Sequence, residues 1–374
     1  MFDLYSGNTP SRLNKEHFKG TVNWISSGEL KEHYIYSSKE QISEEAAKSL
    51  KLLPEGTFVI AIYGLEAEGV RGTGSITQEP STISQACMSF IQKGEIGNEF
   101  LYSWYKKHGN VIGIRYAQGT KQQNLSYDIL EKFRIVYPKT KEQEKLNKFI
   151  ALLDERIATQ NKIIEDLKKL KSAISKLLFT RKDLLETTIR LADIATLKNG
   201  YAFQSSKYNI LGKWKIITIA NVSGGRYINE EDCNCIINLP NDIQDHQVLK
   251  EGDILISLTG NVGRVSLCKS GAYLLNQRVG LLHIEGNIDK EFLYQVLSSR
   301  RFENNMVACG QGAAQMNIGK GDVENFVLPY SSKANNIHLV ARILHSYDEC
   351  IINELRELTL LTMQKQYFLA QMFI

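Results

Sequence analysis

The side chains here that could do chemistry are guanidiniums, lysines and side-chain amides, with no matched set of nucleophile and base. The 374 residues contain no Asn/Asp-Pro-Pro-aromatic run, no G-x-x-x-x-G-K-[ST] phosphate loop and no His-Glu-x-x-His. His17, His33, His108, His283, His338 and His345 form no catalytic set. Cys233-Asn-Cys235 with His246 is the one metal-like grouping. Zinc sites show paired C-x2-C or His spacing, so no metal is expected. Gly69–Gly74 (GVRGTG) lacks the strand, loop and helix of a dinucleotide site and reads as a glycine turn. No catalytic residue is expected in this chain.

The polar groups that remain suit the reading of double-stranded DNA. Arg reads guanine and Asn or Gln reads adenine in the grooves, while Lys and Arg on phosphate fix position. The first half offers Arg12, Lys15, Lys19, Lys31, Arg71, Arg115, Lys121, Gln122, Gln123 and Asn124. The second half offers Lys198, Tyr201, Gln204, Lys207, Arg226, Arg264, Arg278, Gln311, Gln315, Asn317 and Lys320. Most surface Lys and Arg only solvate a fold. Arg71, Gln122–Asn124, Arg264 and Gln315 stand out because they sit in glycine-flanked loops, where recognition residues concentrate.

Such loops need rigid elements to hold them. From Thr140 to Lys182 the apolar spacing alternates between three and four: Ile150, Leu153, Ile157, Gln160, Ile164, Leu167, Lys171, Ile174 and Leu178. That is a heptad seam on a helix too long to stand alone in water. Leu344, Tyr347, Ile351, Glu354, Leu358, Leu361, Lys365, Phe368 and Met372 repeat it at an offset of 194, polar interruptions included. The expectation is an antiparallel coiled coil whose paired residue numbers sum to about 525, setting Gln160 by Lys365 and Lys171 by Glu354. The overlapped coil would be roughly 48 Å long and would act as a stiff spacer.

The repeat extends into the globular parts. Glu99-Phe-Leu-Tyr102 returns as Glu291-Phe-Leu-Tyr294, Glu55-Gly56 as Glu251-Gly252, and Tyr137-Pro138 as Leu328-Pro329. The chain is therefore two copies of one unit. Expected strands are Phe58–Tyr63, Ile83–Gln92 and Arg134–Tyr137 in the first copy, and Trp214–Ala220, Asp253–Leu258 and Val279–Ile284 in the second. Glu99–Lys107 and Lys290–Phe302 read as helices. The second copy has a lead-in strand, Thr188–Leu197. The first opens almost at the matching point, Ser6-Gly7, so its lead-in strand is expected to be largely absent. The fold class is mixed α/β (α+β): globular parts at 1–139 and 183–333, each followed by a long helix, 140–182 and 334–374.

Hydrophobic content of 43% and charged content of 23% are those of a globular protein with a proper core. No apolar run reaches 18 residues and no signal-peptide pattern follows Met1, so a cytoplasmic setting with reduced cysteines is expected. Net charge is +4, and the excess sits on the first long helix, where residues 141–182 hold 11 Lys+Arg against 6 Asp+Glu.

This layout resembles the specificity (S) subunit of type I restriction–modification enzymes. Ser6-Gly7-Asn8-Thr9-Pro10 resembles that family's glycine-Thr-Pro signal. Gly252-Asp253-Ile254-Leu255, with Gly260 and Gly263, resembles its G-D-I-L strand and glycine turn. Asn276-Gln277 resembles its N-Q signal, and Glu142-Gln143 its entry into the central helix. Two departures stand: Glu55-Gly56-Thr57 replaces G-D in copy one, and Glu-Gln is missing from copy two. The resemblance implies a non-catalytic subunit with two target-recognition domains and a two-part DNA target with a fixed spacer. It implies two methyltransferase (M) subunits and restriction (R) subunits as partners, with S-adenosylmethionine and ATP held by those partners. The rival reading is a coiled-coil scaffold without sequence-specific DNA binding.

Overall fold

The computed structural model describes residues 1–67, 69–119, 121–311 and 316–373. The chain divides into two compact units, Met1–Gln160 with Glu357–Ile374, and Asn161–Arg356. Each holds one globular part and a portion of both long helices.

The first unit contains β1 (Phe2–Ser6), β2 (Val22–Ile25), β3 (Tyr34–Ile35), β4 (Glu40–Ile42), α1 (Glu44–Lys48), β5 (Phe58–Ala61), β6 (Gly74–Thr77), β7 (Ser81–Ile83) and β8 (Cys87–Gln92), then α2 (Asn98–Tyr116) and α3 (Tyr127–Glu131). One sheet runs β1-β8-β5-β6-β3 and a second β4-β2-β7. The apolar run of β5 is buried at every residue, as a strand covered on both faces must be. The expected strand Ile83–Gln92 is two strands, because residues 84–86 turn between sheets. The long helix α4 (Thr140–Thr180) follows. Buried Gln143 pins its start: Oε1 accepts from the Gly97 N–H at 3.0 Å, and Nε2 donates to the Glu95 and Pro138 carbonyls.

The second unit carries β9 (Thr187–Arg190), β10 (Ala195–Asn199), β11 (Trp214–Ile217), β12 (Asn234–Ile236), β13 (Val248–Leu249), β14 (Ile254–Ser257), β15 (Val265–Leu267), β16 (Tyr273–Leu275), β17 (Val279–Ile284), α5 (Lys290–Leu297), α6 (Arg300–Cys309), α7 (Lys320–Glu324), β18 (Val327–Tyr330) and the second long helix, α8 (Ala334–Met372). Its sheets are β10-β17-β14-β15, β12-β11-β16-β13 and β18-β9. Strand order repeats between units: β1-β8-β5-β6 answers β10-β17-β14-β15, and β4-β2-β7 answers β12-β11-β16, including the parallel pairing of β2 with β7 and β11 with β16. The expected helix Lys290–Phe302 is two helices, since the Ser299 hydroxyl accepts the Phe302 N–H and starts a new one.

Two expectations about strands change. The first copy does have the strand that answers β10: β1 pairs with β8 from Phe2↔Gln92 to Ser6↔Met88. What the first unit lacks among its described residues is a counterpart of β9. For that reason Arg134–Tyr137 is not a strand: β18, its equivalent, is made by pairing with β9. The structural match between these segments is Phe133 with Phe326 and Tyr137 with Tyr330, two residues from the alignment expected.

Both long helices bury the expected seam. Ile150, Leu153, Gln160, Ile164 and Leu178 on α4 are buried, as are Leu344, Ile351 and Leu361 on α8. Ile157, Leu167, Lys171 and Ile174, with Tyr347, Glu354, Leu358, Lys365 and Phe368, are half-buried along the same stripes. The pairing is antiparallel within each unit. In the first, Phe149 meets Phe368 edge-on at 4.9 Å, Arg156 pairs with Glu357 at 2.8 Å, and Lys365 pairs with Asp154. In the second, Lys171 Nζ lies 2.5 Å from Asp348 Oδ1. The two lysine pairs share one register, whose residue numbers sum to 519, not 525. The expected register matched polar seam positions with one another. The lysines instead reach carboxylates beside the seam, next to Leu153 and Tyr347.

Candidate nucleic-acid interface

In the first unit, the end of β5 organises the loops. Leu125 N–H donates to the Ile62 carbonyl at 2.9 Å and Leu65 N–H to the Gln123 carbonyl at 3.0 Å. Gln118 and Asn124 exchange both backbone bonds at 2.9 Å, closing a small loop that leaves Lys121 and Gln122 exposed at its tip. Gly119 (φ +111°) permits this turn, because a Cβ there would sit 2.0 Å from the Gln122 carbonyl oxygen. Arg71 lies across Gly113 of α2 and donates Nη2 to Gln123 Oε1 at 2.9 Å. Gly72 (φ +73°) lets this loop approach the α2 backbone at Asn110. The Gln123 N–H donates to Glu66, holding that carboxyl below the usual range. Arg115 is exposed in the last turn of α2. Arg71, Lys121, Gln122, Gln123 and Asn124 thus belong to one connected cluster, and Arg115 stands exposed on α2 without a bond to it among the described residues.

The second unit repeats the device. Ile318 N–H donates to the Leu258 carbonyl at 2.9 Å, Gly260 N–H to Met316, and Leu258 N–H to Arg278. Asn317 faces Thr259, whose hydroxyl donates to Asn317 Oδ1 at 3.1 Å, as Asn124 faces Tyr63 in the first unit. Tyr201 joins through backbone bonds with Leu275 and Gln277, while its hydroxyl donates to Asp242 at 2.7 Å. That bond raises the Tyr201 pKa. Lys198 leads in from β10. Arg264 lies 3.8 Å from Glu303. Gln204 and Lys207, with Tyr201, line an open pocket of about 410 Å³. Gln311 is exposed, and Gln315 lies outside the described residues.

The side chains of Lys15, Arg115, Lys121, Lys198, Lys207 and Arg278 have no hydrogen-bond or ion-pair partner among the described residues. Lys19 pairs with Glu16, Lys320 with Glu324, and Arg12 closes both prongs on Glu40 above the Phe18 ring. Arg226 is a correction. Its side chain is 7% exposed, Nη1 and Nη2 bind Glu291 at 2.8 and 2.6 Å, and Nη1 reaches Asp348 at 3.0 Å. Burial opposes its charge, but these partners and Tyr227 outweigh that and raise its pKa. It knits α5 to α8 and is not a groove-reading residue. Tyr63 and Thr259 join these loops without having been singled out in the sequence, though the signal was available: both occupy the same place after the repeated apolar strand.

Cys233 and His246 do not converge: Cys233 Sγ takes the Asn221 amide and His246 meets the Asn199 carbonyl. No helix among the described residues is long and apolar enough to cross a membrane. The arrangement offers amide edges and unpaired cations on rigidly tied loops. That is chemistry for base and phosphate contact.

The sequence matches the family described as type I restriction modification DNA specificity domain over residues 1–169 and again over 186–362. The chain belongs to the type I restriction–modification DNA specificity family. The family match falls twice, once on each copy of the structural repeat. The type I restriction enzyme MjaIX specificity subunit of Methanocaldococcus jannaschii is 29% identical over 174 residues, 45% of this chain and 39% of that subunit. The MjaVIII specificity subunit of the same organism is 24% identical over 328 residues, 80% of this chain and 76% of that subunit. The match thus spans under half of the first subunit's length. The type I S subunit from M. genitalium shares the fold, with a TM-score of 0.56 at 17% identity over 100% of this chain and 94% of that one.

Proposed function

We propose that this chain is the DNA-specificity subunit of a type I restriction–modification complex and selects a two-part target, one half-site for each unit. Residues 1–139 and 183–333 are then target-recognition domains, and 140–182 and 334–374 the helices that hold them. The observation that carries this reading is the duplicated loop device. In each unit an asparagine loop, at Asn124 and at Asn317, is tied to the same strand end beside unpaired cations. The bases between the half-sites are not contacted, and their number is constant.

The subunit performs no catalysis itself. It docks two methyltransferase subunits and the restriction subunits, which hold S-adenosylmethionine and ATP, in the cytoplasm where the host DNA lies. Exposed apolar stripes support docking on the helices: Ile163, Leu170 and Leu177 on α4, and Leu360, Met363 and Tyr367 on α8. The test is methylation mapping of host DNA with the chain and its methyltransferase partner expressed together. A two-part adenine motif that loses one half on Asn124→Ala with Gln122→Ala, and the other on Asn317→Ala with Arg278→Ala, supports the reading. Absence of any motif, with no duplex binding by the assembled complex, would leave a scaffold.

A further inference from the structure

The loop between β10 and β11 ends in a tight turn, Asn209-Ile210-Leu211-Gly212, whose two aliphatic side chains stand in solvent. Ile210 is 95% exposed and Leu211 85%. The turn is tied down at both ends. The Asn209 N–H donates to the Cys235 carbonyl at 2.8 Å, the Gly212 N–H to the Asn209 carbonyl at 2.9 Å, and the Leu211 N–H to Asn209 Oδ1 at 2.9 Å. Gly212 lies so close to β12 that a Cβ would fall 2.5 Å from the Ile236 carbonyl oxygen. A tip fixed in this way cannot fold its side chains back onto the protein. The first unit makes the same turn: Gly20 lies against Ile42 as Gly212 does against Ile236, and the Ser43 N–H donates to the His17 carbonyl at 2.9 Å. There the tip residues are Phe18 and Lys19. Phe18 packs edge-on against Trp24 at 5.6 Å beneath Arg12, and Lys19 pairs with Glu16. The fold therefore does not require exposed aliphatics at this place.

The charge around the tip selects what it meets. Residues 204–215 hold Lys207, Lys213 and Lys215 and no carboxylate. Lys215 is paired with Glu230 at 2.8 Å, whereas Lys207 and Lys213 have no carboxylate partner among the described residues. Asn209 also lines the pocket of about 410 Å³ that Tyr201 and Lys207 share, so the tip adjoins the candidate nucleic-acid interface. Aliphatic side chains between free cations suit a duplex: the lysines take phosphates while the aliphatics enter the base stack. We propose that Ile210 and Leu211 form a wedge that inserts at one base step of the half-site read by the second unit, unstacking that step and kinking the duplex. The inference rests on the DNA-specificity reading. It adds a second kind of recognition to that reading, since a wedged step is selected by how easily it deforms and not by hydrogen bonds. Pyrimidine–purine steps, the most easily kinked, are favoured there.

The test uses the full chain assembled with its methyltransferase partner, on equal-length duplexes that carry the methylation-mapped motif at permuted positions. Gel mobility then gives the angle and the centre of any bend. The parent should bend the duplex by about 20–90°, centred in the half-site that the Asn317 variant loses. Ile210→Ser with Leu211→Ser should remove at least about 20° of that bend, and Ile210→Met with Leu211→Met, which keeps an apolar wedge, should retain it. Both side chains stand in solvent, so neither variant threatens the fold. The parent should also bind a site with a TA step at the bend centre about five-fold more tightly than one with AA there, and the serine variant should bind the two about equally. A straight duplex in the parent complex, a bend centred elsewhere, or a bend that survives the serines overturns the wedge and leaves the specificity reading intact. Loss of the methyltransferase from the serine variant on gel filtration would give the tip to a protein partner and also overturn it. A parent complex that binds no duplex would remove both readings.

Discussion

Replacing Asp348 by Asn should destabilise the second unit far more than replacing Asp154 by Asn destabilises the first. The two residues are repeats of one another, and each faces a lysine across the helix pair. Their surroundings differ. The Asp348 side chain is 8% exposed and takes Lys171 at 2.5 Å, Gln295 Nε2 at 2.6 Å and Arg226 Nη1 at 3.0 Å. An asparagine there presents one acceptor and two donors to two cations, so half-buried Lys171 loses its anion and buried Arg226 is left with Glu291 alone. Breaking a buried pair costs about 3–5 kcal/mol. Asp154 is 33% exposed and Lys365 26%, so their pair is worth about 1 kcal/mol or less. For a unit of about 200 residues each kcal/mol moves Tm by about 2–4 °C. Asp348→Asn should therefore lower the second unit's transition by about 6–20 °C, and Asp154→Asn should lower the first unit's by about 4 °C at most. Differential scanning calorimetry of the two variants beside the parent reads both numbers. Equal shifts, or a larger one for Asp154→Asn, would refute the argument that burial sets the value of these pairs.

Charge exchange tests the register: Lys365→Asp alone should weaken the first unit, and adding Asp154→Lys should restore it, as read by urea unfolding. The Glu291 carboxyl is held below the usual range, since hydrogen bonds from Arg226 and Gln295 outweigh the upward push of burial. A depressed carboxylate adds stability above its unfolded pKa of about 4.3 and loses it as pH falls through the folded value. Stability of the second unit should thus drop more steeply below pH of about 4.3 in the parent than in Glu291→Gln, measured by thermal unfolding across pH. For DNA, Lys121→Ala should reduce the salt slope of binding by about one. Arg226→Lys should cost stability and leave that slope unchanged, as filter binding at several salt concentrations would show.

Much of this protein could be read from residue order. A duplicated apolar run followed by glycine marks β5 and β14, whose burial is complete because both faces are covered. The seam from Ile150 to Leu178 was legible because heptad spacing is a local property of one helix. The loops that carry Gln122–Asn124 and Asn317 were legible through their glycine flanks. Spacing could not tell Arg226 from Arg278. Both are arginines near turns, but one meets Glu291 and Asp348 from distant elements while the other stays in solvent.

Sequence by itself determined the repeat, the two long helices, the apolar stripe each buries and the loops that carry amides and cations. These follow from periodicity and turn chemistry within a few residues. Only tertiary structure decided the register, because Lys171 and Lys365 choose among several carboxylates by what else surrounds each one. Only tertiary structure decided that Arg134–Tyr137 is no strand, because a strand exists through its partner. In the second unit β9 is that partner.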